Sequence, residues 1–242
     1  MVPCPLIFLS SALAGLPIDA DKWVPLQVDG SPVTDAAADT APIPAIDLVG
    51  SPAFPVGFWS IDEDQVFFRM RLAGSPMDLG GATPFSCFPL QCSWGFIIDT
   101  DGAFDAYDSL LAIPDGAASL QLWTGSGEGG EDAAPDGLLH STDDPWPSEH
   151  LEITPAESTL GDADDVFVDI AVPRTWLGLT SDDDVVRALP ATGLAPVSTG
   201  MDGDFPDLLS TMSLAESWPS PIGMDSDGDG LRIDDEWTFG TD

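Results

Sequence analysis

The chain has 242 residues, and its six lysines and arginines face 42 aspartates and glutamates, for a formal charge of −36. That balance excludes nucleic acid as a partner, because nothing in the chain would neutralise a run of phosphates. Hydrophobic residues make up 43% of it, enough for a core, yet 24 glycines and 23 prolines interrupt it often, which is the profile of a loop-rich all-β protein and not of a disordered acidic tail. Self-repulsion at this charge is relieved by salt or by divalent cations; a saline habitat fits that arithmetic, and a calcium-loaded protein in ordinary medium fits it nearly as well.

The first segment, Leu6 to Ala14, is a short apolar run ending in Ala12-Leu13-Ala14, the small-x-small pattern of a signal cleavage site. It predicts an export signal over 1–14 with cleavage before Gly15, although no lysine or arginine precedes it; an apolar first strand is the competing reading. The run is too short to span a bilayer, and no later segment is long and apolar enough to do so. Export implies an extracellular or cell-surface location. Of the three cysteines, Cys4 leaves with the signal, so Cys87 and Cys92 become close neighbours consistent with a small disulfide loop in an oxidising compartment. Zinc would need further partners, and His140 and His150 fall in a polar stretch without ligand spacing, where solvation is the simpler expectation.

Through the middle of the chain, period-two alternation recurs and helical periodicity is scarce. Gln65 to Leu72 places Val66, Phe68, Met70 and Leu72 on one face and Phe67, Arg69 and Arg71 on the other, and the first face is expected to be core. The pattern repeats with Trp94, Phe96 and Ile98 in 93–99, Leu120 and Leu122 in 118–124, and Val166, Val168, Ile170 and Val172 in 165–172. Further strands are expected near 46–49, 56–61, 108–113, 150–154, 185–189 and 209–214, with a proline-initiated helical turn at 173–177. Short strands separated by Gly, Pro, Asp and Ser clusters predict an all-β fold over 15–222, an antiparallel β-sandwich of jelly-roll or immunoglobulin-like type.

Several side chains on this frame invite function. Asp99, Asp101, Asp105 and Asp108 close a strand with carboxylates at short intervals, a second cation site by one reading and ordinary turn chemistry by the other. Arg69 and Arg71 would fork onto an acidic sugar, or else pair with the acids that surround every arginine here. Trp123 beside Gln121 falls on the non-core face of its strand, the pairing of flat ring and amide that reads a sugar. The acids at Asp202, Asp204 and Asp207, and at Asp162, Asp164 and Asp165, are expected to be solvated loops. No nucleophile elbow, phosphate loop or zinc-protease motif is present, so the chain is not expected to be an enzyme.

The last stretch, 223–242, carries the densest signal. Asp225, Asp227 and Asp229 fill ligand positions 1, 3 and 5 of an EF-hand-type loop, Gly230 the sharp turn, Leu231 the backbone carbonyl and Glu236 the bidentate twelfth position, with Asp234 close to the ligand set. Calcium is the expected cofactor. This tail resembles a thrombospondin type 3 calcium repeat of the bacterial kind, departing from it at Ile233, where that family generally has an acid.

A second resemblance spans about 40–215. Asp47 to Gly50, Phe58-Trp59, Phe67 to Leu72, Trp94 to Gly102 and Val172-Pro173-Arg174 with Leu177 are similar to the family 9 carbohydrate-binding-module and DOMON-like β-sandwiches of exported proteins. The resemblance implies aromatic residues presented to sugars and calcium held at loops. Taken together, the expectation is an exported, calcium-binding module with a cell-surface or extracellular glycan as partner. The alternatives are a non-catalytic structural or adhesive spacer and, third, a glycan-active hydrolase or its accessory.

Overall fold

The computed structural model describes residues 16, 22–39, 43–77, 85–87, 90–103, 106–116, 119–127, 130, 133–142, 150–160, 164–181, 184–207, 209 and 212–223. They fold as an all-β antiparallel sandwich of two five-stranded sheets with a small two-stranded ribbon. In chain order the strands are β1 (Val24–Pro25), β2 (Gln27–Val28), β3 (Ser31–Pro32), β4 (Gly57–Ile61), β5 (Gln65–Leu72), β6 (Ser93–Asp99), β7 (Ser109–Pro114), β8 (Gln121–Thr124), β9 (Gly137–Ser141), β10 (Leu151–Pro155), β11 (Val166–Pro173) and β12 (Arg187–Gly193). The first sheet runs β1-β4-β5-β11-β10, the second β12-β6-β7-β8-β9, and β2 pairs with β3. The chain builds the β4–β5 hairpin, crosses for the β6 to β9 meander, returns for β10–β11, and crosses again to lay β12 beside β6.

Alternation decides which face is core. Val24, Trp59, Phe68, Ile170 and Leu151 form one row across the first sheet, and Pro190, Phe96, Leu111, Leu122 and His140 one across the second. The rows meet where the Phe68 and Phe96 rings lie 5.0 Å apart. Val66, Phe68, Met70 and Leu72 are all fully buried, as the alternation in β5 predicts. The strand β6 is buried along its whole length, so both of its faces are covered. Trp94 fixes one end of it, its indole N–H donating to the Ala45 carbonyl 2.5 Å away.

Some expectations are corrected. The segment 46–49 is not a strand: Pro44–Ile46 form a 3-10 turn, after which only an isolated bridge at Leu48 pairs with Leu72. Among the described residues of 209–214 there is likewise no strand; a short helix begins at Leu214, boxed by Ser213 and Glu216. The turn at 174–177 forms as predicted and ends on Gly178 in the left-handed conformation, φ 76°. His140 is no loop residue. It lies on the edge strand β9, exposed, with its ring stacked on Trp176 at 4.8 Å and 15°.

The Cys87–Cys92 disulfide forms, with Cα atoms 5.7 Å apart and both cysteines buried. No helix among the described residues is long and apolar enough to cross a membrane.

Candidate functional site

The outward face of the first sheet holds both arginines of β5. Arg69 stands between the Trp23 ring, 4.2 Å from its guanidinium carbon, and the Phe167 ring, 4.4 Å away; Arg71 lies 4.4 Å from Phe167 and 5.6 Å from Phe54. The result is a ladder of alternating rings and cations, each contact worth about 0.5–2 kcal/mol according to its desolvation. Register puts Asp169 of β11 opposite Arg69, and the guanidinium binds it through two donors at 2.6 and 2.7 Å. Burial pushes the Asp169 carboxyl up even against the pull of Arg69. Arg71 donates to the Pro55 carbonyl at 3.2 Å and to the Ser158 hydroxyl, which in turn donates to Asp165 at 2.6 Å. Asp165 is fully buried and also accepts the Leu160 N–H, so it is a structural acceptor and not the solvated loop expected of it. Phe67, on the same outward face, is covered by Leu16, Trp23 and Ala171.

On the second sheet, Trp123 does lie on the outward face. It continues a row of Leu189, Ile97 and Leu110 toward Leu138 on the edge strand, where Leu138 and Leu139 are 48% and 53% exposed. The pairing of β8 with β9 skips Leu139, a bulge of the kind common at sheet edges. The Trp123 ring is half-buried, and its N–H donates to the Gln121 side-chain oxygen at 3.1 Å, so the two groups expected to read a sugar bond to one another.

The aspartates after β6 form a compact cluster. Carboxylate oxygens of Asp99, Asp101 and Asp108 lie within 4.8 Å of one another, while Asp105 falls outside the described residues. Asp108 accepts the Thr100 N–H and hydroxyl, both at 2.7 Å, and the Asp101 N–H at 3.0 Å. Asp101 accepts the Ala103 N–H at 2.8 Å, and Asp99 accepts the Gly102 N–H at 3.0 Å while Arg187 approaches it at 3.5 Å. Gly102 has φ 74°, the left-handed region this turn needs. Asp99 is 1% exposed, and burial pushes its carboxyl above the ordinary range. Each carboxylate thus accepts a backbone N–H in a tight turn, and the same oxygens lie close enough together to hold a cation, so both readings of the spacing stand.

A second cluster went unread in the sequence. Asp35, Asp39 and Asp204 also bring carboxylate oxygens within 4.8 Å of one another. Asp204 is 1% exposed, which corrects the expectation of a solvated loop there. Burial, then the neighbouring charges of Asp204, Asp39 and Asp207, push the Asp35 carboxyl up to about 10. The expected calcium loop, with Asp225, Asp227, Asp229, Leu231, Asp234 and Glu236, lies outside the described residues, as does the expected signal at 1–14.

No protein-family model matches the chain, and no curated protein or solved structure is significantly similar to it.

Proposed function

We propose that the chain is a non-catalytic, calcium-stabilised β-sandwich module of an exported protein, whose part is to space or attach neighbouring domains. One observation carries this over a sugar-reading role: the polar groups best placed to read a glycan are engaged within the fold. Arg69 is bound by Asp169 and held between two rings, Arg71 is 3% exposed, and the Trp123 N–H is taken by Gln121. The EF-hand-type spacing of Asp225, Asp227, Asp229 and Glu236 supports calcium, with the Kd on the order of 10⁻⁴ to 10⁻³ M usual for extracellular modules. The Cys87–Cys92 disulfide supports an oxidising, extracellular setting.

Carbohydrate binding is the second reading. It is favoured by the half-buried Trp123 ring beside exposed Leu138 on the outward face of the second sheet. A glycan-array screen of the folded protein in calcium-containing, high-salt buffer separates the two. The spacer reading expects no glycan bound; binding that disappears in Trp123→Ala would replace it with the sugar-reading module.

A further inference from the structure

The buried aspartates at 35 and 204 and the exposed one at 39 are brought together by separate pieces of chain. Asp35 is fixed by paired backbone bonds with Gly50, its N–H donating at 3.2 Å and its carbonyl accepting at 2.8 Å. The loop then turns through Ala38, left-handed at φ 61°, whose N–H donates to both oxygens of Asp47 at 3.1 and 2.9 Å. That turn carries exposed Asp39 back toward Asp35. Asp204 arrives from the far end of the chain: its carbonyl accepts the Thr192 N–H of β12 at 2.9 Å, and its Oδ2 accepts the Leu48 N–H at 2.7 Å. Gly203 lets the backbone come this close, since a Cβ there would stand 3.0 Å from the Gly193 Cα.

Among the described residues no positive charge bears on Asp35. Asp35 is 2% exposed, and neither of its carboxylate oxygens has a hydrogen-bond partner. The charged groups that bear on it, Asp204, Asp39 and Asp207, are all acids, and the Asp207 N–H, which pulls the other way, is the smallest of these influences. Buried polar groups are nearly always partnered, and an orphaned carboxyl aimed at two others calls for a specific cause. A tight turn does not supply one here, because a turn would satisfy the oxygens, as it does around Asp108.

We propose that Asp35, Asp39 and Asp204 form a binding site for a hard divalent cation of the calcium class, distinct from the C-terminal loop. The donors are all carboxylate oxygens, the ligands such ions take, and no nitrogen or sulfur belongs to the set. Oxygens within 4.8 Å of one another fit inside the roughly 5 Å across a calcium ligand shell. The ion would tie the 35–39 loop to the chain at 47–48 and to the segment after β12, so it pins an early part of the fold to a late one.

The test is native mass spectrometry of the full chain titrated with calcium chloride, together with thermal unfolding in calcium and in chelator. The C-terminal loop is silenced by Asp225→Asn, Asp227→Asn and Asp229→Asn, so that its ion does not contribute. On this background the proposal expects Asp35→Asn and the exposed variant Asp39→Asn each to reduce the bound calcium by one ion per chain. It also expects Asp35→Asn to melt no lower than its parent in chelator yet to lose the rise that calcium gives the parent. An unchanged ion count in both variants would overturn the site. So would an Asp35→Asn protein that gains the same stability with and without calcium, because Asp35 would then be only a buried, protonated carboxyl.

Discussion

Two trios of aspartate sit at opposite ends of the second sheet, and they manage the same charge in opposite ways. Asp99 pairs with Arg187 at one end of β12 and Asp204 with Thr192 near the other, five residues or roughly 17 Å along the strand. Around Asp99, Asp101 and Asp108 every carboxylate accepts a backbone N–H, and an arginine stands beside the most buried one. Around Asp35, Asp39 and Asp204 the orphaned carboxylate of Asp35 accepts none. In a chain this acidic, closeness of acids carries little information by itself. Whether their oxygens already accept hydrogen bonds is what distinguishes the two trios, and that is a property of the fold.

The contrast between the trios is open to test from several sides. Asp169 is as buried as Asp35, and what distinguishes them is Arg69. Arg69→Met should strand Asp169 as Asp35 is stranded and cost about 3–5 kcal/mol in urea unfolding, alike in calcium and chelator. Stripping calcium comes next. With the ion at one hundred times its Kd, an occupied site contributes about 2.7 kcal/mol, so chelator should lower wild-type stability by at least that amount and Asp35→Asn should blunt the loss. Asp108→Ala removes the acceptor for three donors of the 100–101 turn, and a loss of about 2 kcal/mol is expected, equal with and without calcium. The smallest effect belongs to Asp101→Ala, where one exposed bond to Ala103 is lost; about 0.5–1 kcal/mol in the same assay is expected. A calcium-dependent penalty in either of the last two would make the 99–108 turn a cation site as well and erase the contrast.

The strands that alternate cleanly were legible. β6 forms over Ser93–Asp99 and β5 over Gln65–Leu72, because a buried face with period two leaves one register open to each. β9 was not legible: Leu138 and Leu139 sit side by side, the bulge between them breaks the period, and the strand lies exposed at an edge. At 46–49 apolar residues suggested a strand, but Pro44 starts a 3-10 turn and Leu48 beyond it forms only a bridge. Arg69 and Arg71 were placed on the outward face correctly. The rings of Trp23, Phe54 and Phe167, which come from three other segments, fix what they do there. Asp35 and Asp39 have a spacing that matches no ligand motif, and their third partner comes from the far end of the chain. No window of sequence holds that site, which exists only once Thr192 and Leu48 have set Asp204 in place.

Arg69, Arg71, Arg174 and Arg187 are four of the six cationic residues, and each bonds to an internal carboxylate, hydroxyl or carbonyl. Among the described residues these four arginines are engaged within the fold, while the chain as a whole carries a formal charge of −36. Two copies brought side by side would then behave as like-charged bristles, repelling over about 30 Å in 0.01 M salt and about 8 Å at physiological ionic strength. Crowded on a surface, such modules would hold a spacing set by the ions of the medium as much as by their own width.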